Sequence, residues 1–232
     1  MKGIKDTRLK NLIRITVPFI IVPALIALGI VVFDDKKYTW ISLAVAISSI
    51  LVFQAGFEKK TIGSRRLVII SVMTALSVVG RLVFSAVPGF RPITALVVIT
   101  AIYLGGESGF MVGCMSALVS NFFFGQGPWT PFQMFIWGMI GLLAGLLAKP
   151  LKKSRVLLSL YGVFAGVAYS FFMDIWTVLS YADTISWQLY VAALGAAVPY
   201  TVMYAVSNVI FLLLLGKPFG EKLERIKVKY GV

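Results

Sequence analysis

Apolar and polar positions follow one another along this chain in long blocks. Eight apolar runs, most of them near the ~20 residues that a helix needs to cross a bilayer, are separated by short polar or basic connectors. The runs are Ile15–Phe33, Trp40–Phe57, Leu67–Ala86, Pro92–Leu104, Ser108–Phe124, Pro131–Ala148, Val156–Tyr181 and Trp187–Leu215. The fourth run is short for a straight span and is expected to tilt, break or extend at its ends. The pattern predicts an all-α, polytopic membrane helix bundle.

The composition agrees with this interpretation and suggests how the chain is divided. Hydrophobic residues make up 59% of the chain and charged residues 13%, whereas soluble domains have roughly 45–50% and about 25%. The basic connector Gly56–Arg66 is the one visible seam. We therefore expect a basic segment with two extra transmembrane helices at 1–63, a six-helix substrate-binding core at 64–216 and a basic cytoplasmic tail at 217–232.

The net charge of +13 comes mainly from clusters between the apolar runs. If both termini are inside, the inside segments hold 18 of the 22 lysines and arginines, the outside loops hold 3, and Arg81 lies within a span. Because cytoplasmic loops carry an excess of Lys and Arg, this predicts a multi-pass protein of the cell membrane with both termini cytoplasmic. The same clustering explains the charge without nucleic acid, for which no recognition motif is present.

The residue types exclude several kinds of chemistry. Histidine is absent, and the one cysteine, Cys114, lies inside an apolar run. An intramolecular disulfide, a cysteine metal cluster and any imidazole-dependent site are therefore impossible. Glu107 and Asp174 lie in or near predicted spans but belong to different ones. We predict no catalytic residue, no metal site and no cofactor.

Small residues recur at helical spacing. Gly105, Gly109, Gly113 and Ala117 step by four, and Gly141 and Gly145 repeat the pattern. Such a stripe lets neighbouring backbones approach closely in a membrane. Internal packing is the favoured interpretation, and a subunit interface is the alternative.

Arg81 and Asp174 are the charges that packing explains least. Each lies in the outer part of its predicted span, and an unpaired charge in hydrocarbon costs at least ~2.5 kcal/mol. Two interpretations are open: a mutual ion pair that fixes the bundle, or a position in or beside a substrate cavity.

The segment 121–133 is the most unusual stretch of the chain. Two glycines and two prolines interrupt the helix pattern there, and several side chains supply amide, indole and hydroxyl groups: Asn121, Gln126, Trp129, Thr130 and Gln133. Ligand contact is favoured over a plain outer turn. Tyr200, Tyr204 and Asn208 add a polar stripe on the last span, for which interior packing is an equal alternative.

From Ser64 to Leu215 the chain resembles the substrate-binding S components of energy-coupling factor (ECF) vitamin transporters. The resemblance is carried by the start of the six-span unit at 64–75 with its VPGFRP loop at 87–92, by YLGGESG at 103–109, and by NFFFGQGPWTPFQM at 121–134. The last motif is similar to that of the cobalamin-type subset. The run at 103–109 resembles the family's tight inner turn.

The resemblance implies a vitamin-capture subunit in the lipid bilayer that works with a transmembrane T component and two cytoplasmic ATPases. It also implies that Ser71 and Ala75 dock on the T component, in place of the family's Ala-x-x-x-Ala motif. Cobalamin is the first expected ligand, and a smaller, flat vitamin is the second. A stand-alone transporter driven by an ion gradient through Asp174 is a further alternative.

We expect the ligand site to open outward beneath the loops Val87–Pro92 and Phe124–Pro131, with a wall from the last two spans. The predicted ligand-binding residues are Arg81, Arg91, Asn121, Gln126, Trp129, Thr130, Gln133, Trp137, Asp174, Tyr200 and Tyr204. Aromatic faces with a few directed polar groups are typical of sites for vitamin-sized molecules.

Overall fold

The computed structural model describes residues 64–182 and 186–231. In these ranges the chain forms seven helices and no strand. They are α1 (Ser64–Val83), α2 (Ile93–Leu104), α3 (Gly106–Phe124), α4 (Trp129–Leu146), α5 (Ala148–Lys153), α6 (Arg155–Tyr181) and α7 (Trp187–Tyr230). All but α5 coincide with the six predicted spans of the core. The two extra N-terminal helices predicted at 15–33 and 40–57 lie outside the described residues.

Four of these helices, α1, α4, α6 and α7, are long and apolar enough to cross a membrane. Together with the all-helical content, this confirms the predicted all-α membrane bundle. The 12-residue α2 is shorter, and every residue in it except Tyr103 is buried. A helix that is apolar on all sides belongs in the interior of a bundle, so α2 forms the centre of the core and needs no full span of its own.

The helices run up and down between two ends of the bundle. The loop end carries residues 84–92 and 125–128, and the basic end carries the turn at Gly105, the short α5 and the last third of α7. At the basic end α2 passes into α3 through Gly105 alone, with φ +96, a left-handed conformation that favours glycine. The tight turn expected at 103–109 is therefore present. Arg66 donates to the Leu104 carbonyl and to Ser108 Oγ and so ties α1 to this turn.

The last helix is longer than expected. The apolar pattern predicted Trp187–Leu215, but α7 continues to Tyr230 with Pro199 and Pro218 inside it. Gly220 lies directly against the ring of Tyr103, and Leu223 is buried. Packing of this extension on α2 therefore offsets the backbone hydrogen bond that Pro218 removes.

Glycines allow the closest helix contacts in the bundle. Gly109, Gly113, Gly138 and Gly141 bring the backbones of α3 and α4 together, so that a Cβ on Gly141 would lie 2.5 Å from the carbonyl carbon of Gly109. The structure therefore confirms internal packing as the role of the small-residue stripe. Gly166 plays the same part between α6 and α7, where a Cβ would lie 2.6 Å from the backbone nitrogen of Ala205.

We predict that Gly141→Ala destabilises the protein, because the added methyl group overlaps the α3 backbone. Overpacking of this kind costs about 1–3 kcal/mol of the free energy of unfolding. The matched control is Gly195→Ala on α7, where a Cβ would meet nothing within 4 Å and where alanine favours helix by up to ~1 kcal/mol. Thermal unfolding in detergent measures both, and equal melting temperatures for the two variants would contradict the packing argument.

Candidate ligand-binding site

The loop between α1 and α2 is held down on α7. Its turn from Val87 to Phe90 has Pro88 and Gly89 at its centre, with Gly89 at φ +79 and a hydrogen bond from Phe90 N to Val87 O. Proline followed by a positive-φ glycine is the signature of a type II turn. Ser207 on α7 binds the backbone of Arg91 twice, once as acceptor and once as donor. The loop is thus fixed as a cover over the bundle interior.

Beneath this cover lies a small cavity, in which only about 10 Å³ is free for the centre of a water-sized sphere. The loop and four helices, α2, α4, α6 and α7, contribute to its lining, which consists of Gly89, Arg91, Ile93, Thr94, Trp137, Tyr169, Tyr204 and Asn208. Small-molecule sites have volumes of roughly 300–1,000 Å³ and combine apolar walls with a few directed polar groups. The cavity has this mixed lining, but its free volume is far below that range, so side chains would have to move apart to admit a ligand of that size.

Aromatic rings form one wall of the cavity. Trp137 and Tyr169 are stacked with their centroids 4.9 Å apart and 17° between their planes. Tyr204 meets the ring of Tyr169 edge-on at 5.1 Å. Aromatic pairs in such geometries are favourable beyond the area that they bury. The wall therefore presents a fixed set of ring faces and edges.

Polar groups face the same cavity. The Arg91 side chain is half-buried, and its Nε atom has no hydrogen-bond partner among the described residues. Asn208 is buried and donates from Nδ2 to the carbonyl of Gly162 at 3.1 Å, which leaves its oxygen available as an acceptor. A ligand in the cavity would meet both a cation and an amide.

A buried arginine lies behind the aromatic wall. Arg81 on α1 is 4% exposed and donates from Nη1 to Ser120 Oγ and to Asn121 Oδ1 on α3. Its guanidinium lies 4.5 Å from the ring centroid of Phe124 and 5.3 Å from that of Trp137, both within the range of a cation–π contact. The charge is thus stabilised by hydroxyl, amide and aromatic groups of the protein.

Asn121 extends this network to the cavity wall. Its Nδ2 atom donates to Thr130 Oγ1 and to Gln133 Oε1, each at 2.9 Å. Gln133 in turn donates from Nε2 to the hydroxyl of Tyr169 at 3.3 Å. A continuous chain of polar contacts therefore joins α1, α3, α4 and α6. Its members Arg81, Asn121, Thr130 and Gln133 are all buried.

Within the described residues, no group of three or more His, Cys, Asp or Glu side chains could hold a metal ion. The cavity lining offers one cation, hydroxyls, an amide and aromatic rings. That set of groups suits an organic ligand with ring and polar parts.

Most of the helix bundle matches a known protein family. Residues 61–225 match the family model described as ECF-type riboflavin transporter, S component. The chain belongs to this S-component family. No curated protein and no solved structure matches it significantly. This match confirms the resemblance to ECF S components that the sequence showed. It names riboflavin and does not confirm the cobalamin-type subset.

The direct ion pair expected between Arg81 and Asp174 of this S component does not form. Arg81 is bound to α3 by Ser120 and Asn121, while Asp174 Oδ2, on α6, has no hydrogen-bond partner among the described residues. Depth along the span was estimated from the sequence, but the rotation of each helix was not. Arg81 is therefore held by α3, and Asp174 is not paired with it.

Three other predicted residues lie away from the cavity lining. Gln126 is exposed and donates to the Leu118 carbonyl at 2.8 Å, so it closes the turn before α4. Trp129 is half-buried and packs on Trp176 with centroids 6.4 Å apart. Tyr200 is 51% exposed. By contrast, the predicted residues Arg91, Trp137 and Tyr204 line the cavity directly.

The sequence analysis missed five lining residues: Gly89, Ile93, Thr94, Tyr169 and Asn208. Asn208 carried a signal, since it follows Tyr204 by four residues on one helix face. Gly89 stood within the predicted cover loop. Tyr169 lies in an apolar run with nothing in its neighbours to mark it, and only the packing of α6 on α4 brings it to Gln133.

We predict that Asn121→Leu destabilises the S component, because it removes an acceptor from the buried Arg81 guanidinium and the donor to Gln133. Leaving buried polar groups unpaired costs about 1–3 kcal/mol, and more for a charged group. The control is the neighbouring Phe122→Leu, at a side chain that is 73% exposed, which should change the melting temperature little. If both variants unfold at the wild-type temperature, the network does not stabilise the bundle.

Proposed function

We propose that this chain is the membrane-embedded substrate-capture subunit of an ATP-driven ECF vitamin importer, and that it works with a T component and two cytoplasmic ATPases. The observation that carries the proposal is the covered cavity at the loop end, with its aromatic wall and with Arg91 and Asn208 as polar contacts. Family membership supports the partners. The sequence has no GxxxxGK[ST] motif for ATP phosphates, which accords with hydrolysis by other subunits.

The ligand that the cavity supports best is a flat vitamin of the riboflavin type. Riboflavin has a tricyclic ring system for aromatic contact and a polyol chain for hydrogen bonds. The family takes its description from riboflavin transport, and the small cavity would have to widen less for this vitamin than for a corrin macrocycle. Cobalamin, favoured by the motif at 121–134, is the alternative ligand.

The proposed orientation of the protein in the membrane follows from the positions of its lysines and arginines. Lysines and arginines of α5, of the start of α6 and of the end of α7 all lie at the basic end. By the excess of basic residues on the cytoplasmic side, this end faces the cytoplasm and the loop end faces outward. The cavity would then receive its ligand from outside the cell.

The surface for the T component is one face of α1, which packs mainly on α2 and α3 and leaves its other side free in the described structure. Ser71 and Ala75 are exposed there, flanked by Val68 and Val79, which are 61% and 54% exposed. We call these four residues the Ser71–Ala75 face. Small side chains in an apolar face allow a partner helix to approach closely.

A transporter driven by an ion gradient through Asp174 is the second candidate. Asp174 is 8% exposed and its Oδ2 atom has no partner in the described structure, as an ion-coupling carboxylate would require. However, Asp174 does not line the cavity. The importer therefore accounts for more of the site.

We predict that riboflavin raises the melting temperature of the detergent-purified chain more than cobalamin does. A ligand that binds only the folded state at ~100 times its Kd stabilises it by about 2.7 kcal/mol. Parallel melts with riboflavin, cobalamin and thiamine at equal concentrations measure this. A shift with cobalamin alone would reverse the choice of ligand, and the lack of a shift with any vitamin would contradict the capture function.

We predict that Ala75→Trp abolishes co-purification of the T component while vitamin binding is retained, because the indole would fill the close approach on the Ser71–Ala75 face. The control is Leu76→Trp, also at an exposed position but ~100° further around the helix, which should leave the complex intact. Recovery of the full complex with Ala75→Trp would show that this face does not dock.

A further inference from the structure

A second depression lies at the basic end of the bundle, between α2, the α5–α6 connection and α7. It encloses about 860 Å³ of empty space, part of it open to the surroundings. Its floor is apolar and comes from buried side chains, among them Ile99, Leu151 and Leu212, which are at most 5% exposed. We call this depression the basic groove.

The rim of the basic groove is positively charged. Lys152, Arg155 and Lys217 lie on it, against one carboxylate, Glu221. Lys152 is partly neutralised, since its Nζ atom is 3.3 Å from Glu224 Oε2 and 4.2 Å from the ring centroid of Tyr103. Arg155 and Lys217 are exposed and form no ion pair within the described ranges. Two cations therefore remain available beside an apolar floor.

The groove is continuous with surfaces that face hydrocarbon. Leu213, which lines it, is 46% exposed, and the adjoining Leu214 is 64% exposed. On α6, Val156 and Leu160 are 68% and 59% exposed. Both helices are long and apolar enough to cross a membrane. The groove thus combines a charged rim at the membrane boundary with an apolar path into the bilayer.

We infer that the basic groove binds an anionic phospholipid, with its phosphate at Arg155 and Lys217 and an acyl chain along the apolar floor. Basic pockets between transmembrane helices on the cytoplasmic side bind anionic headgroups. The charged rim matches the phosphate headgroup of such a lipid, and the apolar floor matches its acyl chain. A protein partner would bury Arg155 and Lys217 at a cost unless it supplied carboxylates, whereas lipid phosphate supplies the charge at the membrane boundary itself.

The basic groove is separate from the vitamin cavity. The two linings share no residue: on α2 the cavity reaches Thr94 and the groove begins at Ile99, five residues or roughly 7.5 Å further along the axis. The inference therefore does not depend on which vitamin is bound. Loss of lipid binding and loss of vitamin binding are also measured by different probes.

The test compares lipids by thermal unfolding and by native mass spectrometry of the full-length chain in mixed micelles with POPG or POPC. Wild type should retain POPG in preference to POPC and melt at a higher temperature in POPG. The double variant Arg155→Gln, Lys217→Gln should weaken POPG retention by roughly fivefold for each charge removed, with POPC retention unchanged.

The matched control is Lys222→Gln, Lys229→Gln, which removes the same charge from exposed positions of α7 outside the groove lining and should keep POPG retention. A second variant, Gly216→Leu, fills the groove. A Cβ at Gly216 would meet only Leu158 Cδ2, at 3.7 Å, so the protein should fold and lose the lipid.

Several results would overturn the inference. These are equal retention of POPG and POPC by wild type, wild-type POPG retention by either groove variant, or equal losses in the groove and control double variants. If glycerol 1-phosphate alone reproduces the thermal shift, the rim binds soluble phosphate rather than lipid. If the groove variants lose the T component but keep POPG, the surface is a protein interface.

Discussion

A guanidinium group inside an apolar bundle must be solvated by the protein itself. An arginine at the centre of a membrane helix costs at least ~2.5 kcal/mol when it finds no partner. Arg81 finds Ser120 and Asn121 on α3 and the rings of Phe124 and Trp137. The end of α3 supplies most of this shell and the first turns of α4 support it, while the Nε atom of Arg81 has no hydrogen-bond partner among the described residues.

The position of the covered cavity follows from that requirement. Asn121 accepts from Arg81 through Oδ1 and donates to Thr130 and Gln133 through Nδ2, and this ties Arg81 to the start of α4. Gln133 then reaches Tyr169 on α6, whose ring stacks on Trp137. Close glycine contacts between α3 and α4 and between α6 and α7 keep these helices in register. The side chains that line the cavity are therefore held in place by contacts within the bundle.

Hydropathy and residue spacing predicted those features of the fold that follow from the type of residue at each position. The apolar runs located the six core helices, and the glycine spacing located the α3–α4 contact. They could not give the rotation of each helix, so an ion pair between Arg81 and Asp174 stayed one of two open interpretations and Tyr169 was overlooked. Likewise, α7 continues past Pro218 because Gly220 packs on Tyr103, a contact between residues more than one hundred positions apart. Tertiary packing decided each of these features.

The central claim is that a vitamin binds in the covered cavity between the 84–92 loop, α4, α6 and α7. Its most direct test is the dissociation constant of riboflavin, measured by quenching of flavin fluorescence, for wild type, Arg91→Gln and Tyr204→Leu, with Lys222→Gln as control. Loss of a charged hydrogen bond of ~1.5–3 kcal/mol predicts weakening by roughly 10–100-fold for Arg91→Gln, with the control unchanged. Binding by both cavity variants as tight as that of wild type would contradict the account.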